Sequence, residues 1–257
     1  MQLLRSELAS RGEEALPHLE SLAAMDDEKV SLIAREILDE ISCRQGDDDF
    51  QLFCQFFPED GCLEMACWTL AAALIPGLDL APFQFKIRQW GRQFLLMSSG
   101  AISSRERVKL LTQYVSETLG FRGNTDHYYN ERNSLLPCVI ETRMGIPITL
   151  TAIYLFIAHR AGMRVTGINL PGHFIARHGE VFFDPFHRGR ILTQADCEQI
   201  LRCQQIEPQP EHFAPATSRQ ILQRMLVNLL YAYDLKHDRA HQAKIKRWLH
   251  ALRREEG

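Results

Sequence analysis

The sequence predicts an α+β fold in which a central helix packs on a small antiparallel sheet, with predominantly helical regions on either side. Three observations predict it. Apolar residues recur at helical spacing over most of the 257 residues. The segment from Pro147 to Gly162 reads as a buried helix, begun by the proline and closed by the glycine. Directly after it the period changes from 3.6 to 2, giving strand candidates at 163–170, 173–177 and 180–184 with His178-Gly179 as a hairpin turn.

The helical lead-in follows from local patterns. Residues 1–43 read as helices. Val30, Ile33, Ala34, Ile37 and Ile41 fall on one helical face, and Asp26 or Asp27 can cap it. The segment ALPHLESLA gives a shorter helix before it, so the pair resembles a HEAT-type hairpin. Gly46-Asp47-Asp48-Asp49 reads as a break. The run from Leu63 to Leu74 is a buried helix ended by Pro76-Gly77. Phe83, Ile87, Trp90 and Phe94 mark the next helix. Ser103 and Glu106 form a capping box for another, lined by Val108, Leu111, Val115 and Leu119 and closed by Gly120.

Residues 120–133 (GFRGNTDHYYNERN) are a long polar loop with two tyrosines, of the kind that often carries function. Asn133 is expected to cap a helix with Pro137 in its first turn and Gly145 at its end. After the strands, Thr193 caps a short helix to about Cys203. A proline-rich linker then leads to a helical pair at 218–236 and 239–254. The organisation is therefore 1–60 as a helical N-terminal region, 61–205 as the central domain with its helical lead-in, and 206–257 as a helical hairpin.

Composition excludes several function classes. The chain is 46% hydrophobic and 24% charged with a net charge of −3, so nothing pulls it globally toward nucleic acid or an anionic membrane. The charge is uneven: residues 26–64 hold twelve acids against three bases, and residues 219–257 hold nine bases against four acids. Either two helical faces complement each other or are simply solvated, or a basic tail docks an acidic partner. The seven cysteines form no CxxC pair or zinc knuckle, and most of them read as small buried hydrophobes in a reducing compartment. The charged N-terminus is not a signal peptide, and no apolar run is long enough to span a bilayer. A cytoplasmic protein without cofactor or metal is expected. Asp234, His237, Asp238 and His241 have metal-ligand spacing on a continuous helix, but LKHDRA reads better as the turn of a hairpin.

The chemistry centres on GIPITLTAIYLFIAHRAGMRVTGINLPGHFIARHGEVFFDP, residues 145–185. Thiol acyl transfer needs a thiolate, an imidazole to move the proton and a carboxylate to fix the imidazole. A helix N-terminus lowers the pKa of a thiol placed there. Here His173 and Asp184 lie on opposite arms of a hairpin, within reach of each other. The start of the helix holds Pro147, a residue favoured at that position.

Together with GFRGN…YYNERNSLL…RMGIPITL, LPGHF, FFDPF and the RML-NL motif at Arg224–Leu229, these residues make the stretch from about Ala66 to Tyr231 resemble the SirB family of bacterial transglutaminase-like proteins. The resemblance implies a papain-like core, tetratricopeptide-like C-terminal helices and an association with control of gene expression. It also implies that the family pattern of glycine, any residue, cysteine reads Gly145-Ile146-Pro147 here, with His173 and Asp184 as the other two members. Proline has no nucleophilic side chain, so a pseudoenzyme acting through a protein partner is expected.

Substitutes for the nucleophile are poor. Thr149 points about 200° away from position 147. Thr151 returns to that face about 6 Å deeper and is expected to bond the carbonyl four residues back. Cys138, on the preceding helix, is the alternative nucleophile for a hydrolase or acyl-transferase. A third reading is a peptide- or small-ligand-binding module. The family motif makes Asn124, Tyr128, Asn133, Arg143 and His173 its candidate lining. The competing roles are loop-fixing bonds for the asparagines, packing for Tyr128 and a surface ion pair for Arg143. On the C-terminal pair, Ile221, Met225, Leu229 and Tyr233 form a stripe opposite Trp248 and Leu252, which either packs on the core or forms a groove.

Overall fold

The computed structural model describes residues 15–101 and 103–253. The helices expected within 1–14, and residue 254, lie outside the described residues. The order is α1 (Leu16–Ala23), α2 (Glu28–Phe56), α3 (Leu63–Leu74), α4 (Ala81–Ser98) and α5 (Ser104–Gln113), followed by a π turn at Tyr114–Thr118. Next come β1 (Arg122–Gly123), a 3-10 turn at Glu131–Ser134, α6 (Leu136–Thr142), β2 (Met144–Gly145) and α7 (Pro147–Arg160). The sheet strands β3 (Thr166–Ile168), β4 (Ile175–His178), β5 (Val181–Asp184) and β6 (Arg190–Leu192) precede α8 (Gln194–Cys203), α9 (Ser218–Leu235) and α10 (Arg239–Arg253).

The four-stranded sheet is antiparallel throughout, in the order β3-β4-β5-β6. Its two faces alternate along each strand as the pleat requires. Ala176 and Phe183 face the core built on α7, whereas Ile175 and Phe182 face Cys197 and Leu201 of α8. Eleven of the fourteen residues of α7 are buried, so this helix is the centre of the core and not a surface element. Helices α3, α4 and α5 complete that core with Cys67, Ile87, Phe94 and Leu111.

Several expected details are corrected. The hairpin turn is Gly179-Glu180, one residue later, because His178 pairs with Val181 and Gly179 takes the left-handed conformation (φ 56°). Asn133 does not cap α6. It lies buried inside the preceding 3-10 turn, where Asn130 accepts the amide of Arg132, and α6 begins without a side-chain cap. That helix ends at Thr142, with Arg143 in the left-handed conformation, and Gly145 instead pairs with Gly123 in β2.

The largest correction is in α2, which runs unbroken through Gly46-Asp47-Asp48-Asp49. Gly46 is there for close approach: a Cβ would stand 3.2 Å from the Ala73 Cα of α3. Asp47 is equally committed. Its Oδ1 accepts from Trp248 Nε1 at 2.8 Å and its Oδ2 from Arg247 at 2.6 Å. The acidic and basic segments thus meet on facing helices. A second core follows from this contact: Phe50, Cys54 and Phe57 pack with Leu70, Leu135, Leu226, Leu229, Ile245, Trp248 and Leu252. Arg219 fastens it, donating to the Phe57 carbonyl and to the Leu252 carbonyl at 3.0 Å. The stripe on α9 is therefore spent on the protein's own interior.

Gly91 in α4 gives a prediction of unusual sign. Alanine normally stabilises a helix interior relative to glycine by about 1 kcal/mol. Here a Cβ would fall 2.5 Å from the Arg160 Cβ. Arg160 is clamped by Glu64 through two 2.8 Å bonds. Gly91→Ala is therefore expected to destabilise by about 1–3 kcal/mol, read as a lower urea midpoint.

Candidate active-site frame

Asp184 ends β5 and is almost completely buried. Its Oδ1 accepts the backbone amides of Phe186 at 2.9 Å and His187 at 3.3 Å, which fixes the carboxylate in a turn. Its Oδ2 receives two imidazoles: His173 Nε2 and His187 Nδ1, each at 2.7 Å. Burial by itself would raise the carboxyl pKa. The hydrogen bonds and charge of His173, then of His187, outweigh it and hold Asp184 below the usual carboxylate range.

His173 lies two residues ahead of β4, not on the strand itself. The loop that carries it is tied down: its amide donates to the Leu170 carbonyl, and Arg224 of α9 donates to that carbonyl at 3.1 Å and to Asn169 Oδ1 at 2.6 Å. The RML-NL motif thus supplies a positioning residue for the histidine loop, a role not readable from spacing. Because Nε2 is engaged by Asp184, Nδ1 is the nitrogen of His173 left to serve a reacting group.

Pro147 occupies the first turn of α7 and is buried, with Ile146 as an extended N-cap that offers no side-chain cap. The helix start is linked to His173 by one ring. Phe186 sits against Gly123, the ladder partner of Gly145, where a Cβ would clash at 2.6 Å. The same ring stands edge-on to His173 at 6.5 Å between centroids. Tyr128 packs edge-on to Phe186 at 5.8 Å, which brings the tyrosine loop to the site.

The remaining candidates have other occupations. Asn124 Nδ2 donates to Asn133 Oδ1 at 3.0 Å, and its Oδ1 accepts the His127 amide. Asn133 in turn donates to the carbonyls of His127 and Tyr128, so the pair shapes the loop. Arg143 is not a surface ion pair. Its guanidinium lies over Trp90 at 4.5 Å and Phe121 at 4.8 Å, where burial lowers its pKa. Cys138 packs in the core of α2, α3, α9 and α10, and burial raises its pKa, the reverse of what activates a thiol. Thr149 and Thr151 are buried as expected, but neither hydroxyl has a partner, so the back-bond expected of Thr151 is not made; nothing in the structure explains this. The Asp234–His241 segment is interrupted between α9 and α10, and Asp238 caps α10 by accepting the His241 amide.

Residues 84–227 match the transglutaminase-like superfamily, more than half of the chain. The chain belongs to this superfamily. Its relatives include a UPF0162 protein of Xylella fastidiosa (strain 9a5c), 36% identical over 52% of this chain and 52% of that protein. A UPF0162 protein of Pseudomonas aeruginosa is 32% identical over 65% of this chain and 62% of its own length. F-box only protein 21 of Homo sapiens is 31% identical over 66% of this chain but only 27% of itself. The chain thus spans about half the length of the Xylella relative it matches. No solved structure matches it. The superfamily region contains α7, the sheet and the His173–Asp184 pair, so the candidate frame lies wholly within it. Among the described residues no helix is long and apolar enough to cross a membrane.

Proposed function

We propose that this transglutaminase-like protein is a pseudoenzyme of the SirB branch, which acts in the cytoplasm through a protein partner in a regulatory role. The observation that supports this most is Pro147, buried at the helix position where a nucleophilic thiol would stand. The four buried thiols are poor replacements. Burial pushes Cys54 and Cys197 up to about 12 and raises Cys67 and Cys138 as well. The remaining frame of His173 and Asp184 then serves structure or binding and not acyl transfer. Exposed Leu52, Phe56 and Met65, around a cleft of about 510 Å³ between α2 and α3, offer apolar surface to a partner. The C-terminal pair has the form of a tetratricopeptide-like hairpin in this reading.

The test is reaction with an iodoacetamide probe at neutral pH, read by mass spectrometry. Slow labelling confined to exposed Cys62 and Cys203 and half-buried Cys43 is expected. Rapid labelling of Cys138 that disappears in His173→Ala would overturn the proposal in favour of a hydrolase or acyl-transferase. A Pro147→Cys variant tests the frame: labelling at position 147 that slows once His173 is also replaced is expected.

A further inference from the structure

We propose that His173, Asp184 and His187 form a binding site for one divalent transition-metal ion of the zinc class. The three donor atoms all lie within 4.8 Å of one another. The sequence conceals the set, since the donors sit eleven and three residues apart across a hairpin and a turn. It is the turn after β5, held by the Asp184 side chain, that swings His187 back.

Asp184 accepts two backbone amides on Oδ1 and His173 on Oδ2. His187, with 61% of its side chain exposed, directs Nδ1 to the same Oδ2 at 2.7 Å. Two imidazole nitrogens and one carboxylate oxygen gathered this closely are a donor set suited to zinc.

The geometry requires little change. Zinc bonds of about 2.0–2.2 Å set neighbouring donors about 3.3 Å apart in a tetrahedron. Asp184 and His173 are held in place, with side chains only 5% and 14% exposed, so the adjustment falls to His187. Because Oδ1 is tied to the backbone, Asp184 coordinates through Oδ2 alone. With neutral imidazoles the ion displaces the two bridging N–H protons, which move to His173 Nδ1 and His187 Nε2. No proton leaves the protein. Three protein ligands leave the fourth position on the solvent side, beside His187, open to water or to a partner's donor.

The experiment is titration of the chelator-treated full chain with Zn²⁺ by calorimetry, paralleled by Co²⁺ absorption spectroscopy. One ion per chain is expected, with affinity weakened by about tenfold or more in both His187→Ala and His173→Ala. The cobalt spectrum is expected to show ligand-field bands without thiolate charge transfer. The His187→Ala variant alters an exposed side chain, and its circular dichroism serves as the check on folding. Failure of the wild type to bind, equal affinity of wild type and His187→Ala, or a thiolate band from the exposed cysteines would each overturn the proposal.

Discussion

Trp248→Ala is expected to destabilise the protein by about 3–5 kcal/mol. Trp248 is fully buried in α10 and meets Phe50 of α2 edge-to-face at 4.7 Å. Its indole N–H also donates to both the backbone carbonyl and the carboxylate of Asp47. Removing the ring opens a large cavity in the second core and leaves the Asp47 oxygens short of a donor. Neighbouring side chains cannot refill the gap, because they come from long helices whose spacing is fixed by close contacts such as Gly46 on Ala73. A sharply lowered urea midpoint is the expected result. Trp248→Phe should recover most of the packing but not the hydrogen bond, leaving a loss of about 1–2 kcal/mol. A Trp248→Ala midpoint close to wild type would show that α10 contributes little to the fold.

Asp184→Ala is expected to have a comparable effect, about 3 kcal/mol, by a different route. No large volume is lost. Instead two backbone amides and the mostly buried His173 lose their acceptor together, and the turn that returns Phe186 and His187 loses its anchor. Asp184→Asn is the discriminating variant. It keeps an oxygen for the amides and should retain about half of the stability lost in the alanine variant. Its NH₂ group cannot accept the imidazole proton, so His173 must change tautomer or turn away. Imidazole nitrogen chemical shifts would report this directly. Equal stability of the wild type and both variants would mean that the carboxylate fixes nothing.

The sheet hairpin, the buried central helix and the pairing of His173 with Asp184 were legible because each leaves a local mark: alternation, an all-round apolar segment, a glycine turn. Capping residues were legible for the same reason, as with Ser103–Glu106 and Thr193. What escaped were features decided by distant partners. Gly46 and three aspartates carry every mark of a break, yet α3 and α10 keep the helix intact by packing on the glycine and binding Asp47. Asn133 has the residue type of a cap, but its amide is spent across the tyrosine loop. Strand β6 is three residues long, too short for alternation to show. His187 was missed because only the folded turn brings it to the oxygen that His173 also uses.

The bond between Asp47 and Trp248 joins residues 201 positions apart. Loops of that size form slowly, since their closure entropy is paid before any contact rewards it. The apolar stripe of α2 around Phe50 and Cys54 can pack first on α3 and is sealed only when α10 docks. The seam between α2 and α10 is therefore expected to close late in folding.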